Sequence, residues 1–347
     1  AHIPASYSYV TQLDMRINPE HPPLLKDLAG LSILGSNPNL EFPVTDPLWE
    51  SGDQLDASQF PEGPARTWGL AQLLHDNGHD ANAITFWARL PIIFIAVILG
   101  LFIYIWTKEL AGTVAGLFAL VLYAFDPNIL GHSHYVTTDI GIAATIFIST
   151  YFFTKFLRQP SGKNILLSGI FLGVAQLTKF SAVLLFPLFG LMAVVFALAQ
   201  KPTEGENVSA WTFKLKKVWE YIWKYAVSVA VCFVVIWVVY LVNTWNMPAS
   251  VIQEIARAQF PNYRPAGQFA ETFVVNMSAV PFLKPLGEYF LGVFMVFARV
   301  AGGNTYYFLG HVTKYASQSY FPLVFLLKET LPFLSLIIIA LSYTLFR

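Results

Sequence analysis

From about residue 86 onward, long apolar runs alternate with short polar breaks. A run of roughly 20 residues at 1.5 Å rise covers a hydrocarbon core about 30 Å thick, so such runs read as membrane-crossing helices. The pattern predicts spans at 86–106, 110–126, 134–157, 164–178, 180–199, 221–244 and 322–346, the second and fourth extending into their flanks. Residues 1–85 hold no such run. They carry turn signals at Asn37-Pro38-Asn39 and Asp76-Asn77-Gly78, and two short amphipathic stretches, Leu24–Leu34 and Ala65–Leu74, suited to a bilayer surface. The segment 245–321 is polar and broken. Within it Phe290–Ala301 is apolar but short and contains Arg299, so it reads as an interfacial helix, with Tyr306, Tyr307, Phe308, Tyr320 and Phe321 at headgroup level. The fold class is therefore an all-α polytopic membrane protein with about seven transmembrane helices. Its parts are a first extracytoplasmic loop (1–85), a six-helix core (86–244), a second extracytoplasmic loop (245–321) and a last span (322–347).

Charge orients this plan. Lys108, then Lys155, Arg158 and Lys163, then Lys201, Lys214, Lys216 and Lys217, and finally Arg347 follow alternate spans, whereas 127–133 has no Lys or Arg. Basic loops stay cytoplasmic, so 1–85, 127–133 and 245–321 share the outer face. Lys plus Arg equals Asp plus Glu at 21 each, so no basic stripe marks a nucleic-acid binder. Cys232 is the only cysteine, which rules out an internal disulfide.

Several outer-face residues bear chemistry. Asn18-Pro19-Glu20-His21-Pro22-Pro23-Leu24-Leu25-Lys26 packs an acid, an imidazole and an amine into a segment that its prolines stiffen and strip of donors. The same residues also read as a proline-started helix with a solvated entrance. Asp139, after Val136-Thr137-Thr138, is either part of a helix cap or a functional acid at the membrane edge. Lys179, in Leu177-Thr178-Lys179-Phe180-Ser181, is either a snorkelling lysine or a cation for an anionic headgroup. Arg264, Arg299 and His311 are further candidates, and His132 and His134 alternate in a polar loop. Glu20 and His21 are adjacent, so their side chains diverge and do not chelate one ion together. A metal site would need a distant partner such as His311, and the usual three or four ligands are not visible.

The Asn18–Lys26 segment resembles the His-Pro-Pro-Leu segment in the first outer loop of polyprenyl-phosphate-sugar glycosyltransferases. These have the C-type membrane fold and form family 39: protein O-mannosyltransferases, the lipid A aminoarabinose transferase and bacterial relatives. Ala88-Arg89-Leu90-Pro91, Asp126-Pro127-Asn128, Val136–Asp139, Leu177–Ser181, Gly303–Gly310, Tyr320-Phe321-Pro322 and Lys328 follow in the family's order. The resemblance implies a multi-pass protein of a bacterial inner membrane. It implies inverting transfer of a sugar from a polyprenyl-phosphate donor, amid membrane lipid, to a protein hydroxyl, lipid or glycan on the outer face.

By position, Glu20 matches an acid that binds a metal in the aminoarabinose transferase, which makes a divalent ion the candidate cofactor with His311 as the other ligand. His21 stands where that enzyme has a lysine near the lipid phosphate, and Asp139 matches a second outer-loop acid. Lys179, Arg264 and Arg299 supply positive charge for the phosphate. Such chemistry suits these residue types: charge building on phosphate wants cations, and an acceptor hydroxyl wants a carboxylate base. Family members also carry an Asp-Glu pair shortly before a His. Here Ala1-His2-Ile3-Pro4 resembles the stretch after that pair, so the principal catalytic acid is expected upstream of Ala1 and residues 1–347 alone are expected to be inactive. The rival readings are a transporter or flippase of a lipid-linked molecule, for which inverted repeats and broken helices are expected and not seen in the sequence, and a non-catalytic subunit of the same fold.

Overall fold

A computed structural model of the chain describes residues 2–36, 40, 49, 80–202, 209–260, 266–303, 305–313 and 317–346. The stretch Ala65–Leu74 and Arg264 lie outside these residues. The helices are α1 (His2–Gln12), α2 (Leu24–Ser36), α3 (Ala81–Ala111), α4 (Thr113–Ala124), α5 (Pro127–His132), α6 (Asp139–Arg158), α7 (Gly162–Gln176), α8 (Leu185–Ala199, entered by a 3-10 turn over Phe180–Leu184), α9 (Ala210–Asn243), α10 (Ala249–Gln259), α11 (Ala266–Ser278), α12 (Lys284–Gly302), α13 (Tyr320–Lys328) and α14 (Leu331–Leu345). A two-stranded antiparallel hairpin, β1 (Tyr306–Phe308) and β2 (His311–Thr313), pairs Phe308 with His311. The architecture is all-α and polytopic, as the hydropathy pattern predicts.

Five helical stretches among the described residues are long and apolar enough to cross a membrane: α3, α6, Phe180–Ala199, α9 and α12. With the bent pair Tyr320–Lys328 and Leu331–Leu345 counted as one broken span, the described residues offer up to six, close to the expected number of about seven. The run at 110–126 becomes α4, which at 12 residues is only about 18 Å long. Gly112, at φ 91°, ends α3 and lets α4 fold back along it, where Tyr123 Oη donates to Ala96 O at 2.7 Å. The run at 164–178 becomes the 15-residue α7. It packs closely on α9 because Gly169 and Gly173 leave room, a Cβ at Gly169 meeting Ser228 O at 2.5 Å.

Two further stretches differ in form from the sequence expectation. The run at 322–346 is a broken pair, α13 and α14, bent by 117°. Glu329 and Thr330 at the break take extended backbone, and Pro332 starts the second helix. The helix expected to be interfacial at Phe290–Ala301 is longer: α12 has 19 residues and begins at Lys284. Its polar residues do not force it to the surface. Glu288 is buried in the protein, and Lys284 Nζ donates to Thr244 O (2.7 Å) and Met247 O (3.0 Å), satisfying carbonyls at the end of α9.

The core includes stacked rings Phe153 and Phe189, 4.0 Å apart, and the buried Tyr240 and Tyr289. Helix α1 packs on α2 so closely that a Cβ at Gly30 would lie 2.0 Å from Ser6 O. Leu13, at φ 53°, ends α1, and Asn246 covers that end by donating from its backbone N to Leu13 O and from Nδ2 to Gln12 O. The chain then enters the Asp14–Pro23 loop.

Candidate functional site

Four segments far apart in sequence meet where this loop runs into α2. Leu24 N donates to Leu177 O at 3.1 Å, tying the His-Pro-Pro-Leu stretch to the turn after α7. Gly141, in the first turn of α6, has no room for a side chain: a Cβ would lie 2.4 Å from Leu25 Cδ1 and 3.0 Å from Thr178 Cγ2. Gly292 of α12 is equally crowded, with Phe180 Cζ at 2.0 Å and Pro19 O at 2.9 Å from that position. Glycine at these two positions lets α6 and α12 approach the loop.

The segments bring paired charges with them. Lys179 Nζ lies 2.9 Å from Asp139 Oδ1, and Arg299 Nη1 lies 3.1 Å from Glu20 Oε2. Asp139 opens α6, but its carboxylate goes to Lys179, and neither it nor the N-cap Thr138 makes a side-chain cap bond. The Thr-Thr-Asp run is thus a helix start without the expected cap, and Lys179 is ion-paired rather than simply snorkelling. Glu20 and His21 diverge as their adjacency requires: Glu20 turns to Arg299, while the His21 ring lies 5.1 Å from that of His2.

Burial governs the two imidazoles. It holds His21 down at about 4, with the Lys26, Lys179 and Arg299 charges adding to the effect and Asp139 opposing it. It likewise holds His2 at about 3, helped by Lys26 and His21. Both rings are therefore neutral at pH 7. Beneath them lies Lys26, fully buried, which burial draws down to about 7 while Asp27, Glu288 and Glu20 pull it upward.

A cavity of about 200 Å³ opens here, lined by Glu20, His21, Gln259, Met295, Val296, Ala298 and Arg299. Ala298 also lines a second cavity of about 560 Å³, walled largely by Phe260, Phe269, Ala270, Phe294 and Phe297. A charged pocket and an apolar groove thus share one wall. The sequence reading named His2 only within the stretch that resembles the one after the expected Asp-Glu pair, and it missed Gln259 and the groove. His2 lies in a helix with no clear apolar periodicity, whose residues Pro4 to Tyr9 are all buried.

Other candidates lie apart from this constellation or form no cluster. His311 is exposed in the hairpin. His134 Nδ1 meets Leu130 O at 3.2 Å, and the His132 ring packs edge-on against Tyr135. Among the described residues no three His, Cys, Asp or Glu side chains converge to hold a metal, and Glu20 is paired with Arg299.

Residues 81–241 match the family model described as dolichyl-phosphate-mannose-protein mannosyltransferase. No curated protein and no solved structure matches the chain. The matched stretch contains Asp139 and Lys179, while Glu20, His21 and Arg299 lie outside it.

Proposed function

We propose that the chain is a membrane glycosyltransferase whose donor is a sugar on a polyprenyl phosphate, a reading supported by the match of residues 81–241 to the family model described as dolichyl-phosphate-mannose-protein mannosyltransferase. The observation that carries this reading is the shared wall at Ala298. A lipid-linked phosphate needs a cationic place for its head and an apolar channel for its tail, side by side. Arg299 lines the polar cavity and Lys179 lies near His21 on the same side, while the phenylalanine-walled groove suits isoprene units.

In this reading the donor phosphate competes with Glu20 for Arg299 and with Asp139 for Lys179. The acceptor oxygen attacks the anomeric carbon from the face opposite the phosphate, so configuration inverts. The bond between that carbon and the phosphate oxygen breaks, its electron pair stays on the phosphate, and the two cations stabilise the added charge. The acceptor's proton passes to a carboxylate. Glu20, which lines the cavity, and Asp139, whose charge acts on His21 there, are the candidate acids among the described residues.

The active face is the extracytoplasmic one on the Lys and Arg distribution. A cysteine at Ser58 then labels with an impermeant thiol reagent in intact cells and one at Ser209 does not. Buried Cys232 adds little background. The chemical test is a donor screen with the full-length protein in detergent: release of sugar from one polyprenyl-phosphate sugar supports an enzyme. Vesicle translocation of the same lipid without sugar release supports a transporter instead.

A further inference from the structure

Lys26 is 1% exposed, and its ammonium is fully engaged. Nζ donates to Asn18 O at 2.8 Å, to His21 O at 2.8 Å and to Tyr9 Oη at 3.0 Å, with Asn18 Oδ1 at 3.3 Å. Tyr9 Oη in turn donates to Asn18 O at 2.8 Å. A buried amine is costly unless its protons find acceptors, and here Nζ has four oxygens within reach. The choice of acceptors is informative. Asn18 and His21 bracket Pro19 and Glu20, and Pro19, Pro22 and Pro23 have no N–H with which to tie the loop themselves. The turn that carries Glu20 and His21 is therefore tied through its carbonyls to one amine below it.

We propose that Lys26 is a positioning residue for the site: through the Asn18 and His21 carbonyls it fixes the turn that presents Glu20 to Arg299 and His21 to the cavity. It touches no substrate. A purely structural role, neutralising the buried acids Asp27 and Glu288, would serve the packing of α1, α2 and α12 without acting on the turn. The proposal rests on the functional reading for the cavity's ligand, but not for the clamp itself.

The test uses Lys26→Met, which keeps the stem and removes the donors, and reads two quantities in detergent-purified full-length protein. The first is amide exchange. The clamp requires exchange at Leu24, whose N–H at the end of the turn is held by Leu177 O, to quicken at least tenfold while α6 to α9 keep their protection. Uniform quickening, or none, overturns it. The second is affinity for undecaprenyl phosphate. We expect about a tenfold loss, shrinking to twofold or less when Arg299 is already Gln, because both changes act on one constellation. Unchanged affinity, or full additivity, overturns the positioning role. If Lys26→Met does not fold, Tyr9→Phe removes only the bridging hydroxyl and shows the same local pattern at a few-fold size, and its absence is equally decisive. If the parent protein binds no undecaprenyl phosphate, the functional reading fails, and amide exchange still decides the clamp.

Discussion

Lys179 and Asp139, forty residues apart in the chain, are joined by a 2.9 Å hydrogen-bonded ion pair at the mouth of the site. Both side chains are partly solvated, and such pairs are worth roughly 0–1 kcal/mol to folding. The pair is therefore inexpensive to break, which suits a cation that must change partners when a phosphate arrives. Lys179→Met keeps the apolar stem and removes the charge. The expected result is a thermal midpoint within a few degrees of the parent and a loss of affinity for undecaprenyl phosphate of about 10- to 100-fold, the size of one charge-assisted hydrogen bond. Unchanged affinity would leave Lys179 only its ion pair.

Asp139→Asn separates charge from shape. No side-chain cap bond is lost, because the residue makes none at the head of α6. The fold should hold, and sugar transfer by the full-length protein should fall by about two orders of magnitude or more if the carboxylate handles the acceptor's proton. A variant as active as the parent removes Asp139 from the chemistry and leaves Glu20 as the candidate acid at the cavity among the described residues.

The two neutral histidines give a pH signature. Their folded values of about 3 and 4 lie below the ordinary 6.5, so the unfolded chain binds their protons first. The stability they contribute is full above pH 6.5 and is lost as pH falls through 4 and then 3, by about 3 kcal/mol at most for His21. Asp27 works the other way. Burial raises it to about 7, so its contribution is present below 3.8 and fades as pH rises through 7. The useful measurement is therefore a difference: denaturant stability of the parent minus that of His21→Asn, followed from pH 7 to 4. The difference should shrink steadily across that range, and a flat difference would mean His21 is not held neutral.

Ala298 tests the shared wall. Ala298→Phe places a ring between the charged cavity and the groove without altering a charge. Affinity for a long polyprenyl phosphate should fall at least tenfold, while affinity for a short-chain isoprenyl phosphate changes little. Equal losses for both would show that the tail does not use the groove.

Much of this site could be named from sequence and little of it could be assembled. Asp139 and Lys179 are visible at the edges of apolar runs and Arg299 inside one, where ionisable residues are expensive, and Glu20 and His21 stand out in a proline-rich motif. Their pairing is not visible, because Glu20 and Arg299 are separated by 279 residues and only the packing of α12 against Pro19 and Phe180 joins them. The same packing explains the misjudged length of α12. Glu288 looks like a residue that ends an apolar run, yet it is buried inside the protein. Helix α4 is overestimated for the opposite reason: hydropathy registers apolar content, whereas Gly112 sets where it begins and Asp126-Pro127 opens the next helix. The bend between α13 and α14 has a local signal in Pro332, which the apolar run around it hides.

The central claim is that the joined cavity and groove take a lipid-linked phosphate. It is tested most directly by comparing undecaprenyl phosphate with undecaprenol for binding to the full-length protein in nanodiscs. The account predicts that the phosphate binds at least tenfold more tightly, and that Lys179→Met combined with Arg299→Gln abolishes the preference while leaving the affinity for undecaprenol unchanged. Equal affinity for the two lipids in the parent protein would contradict it.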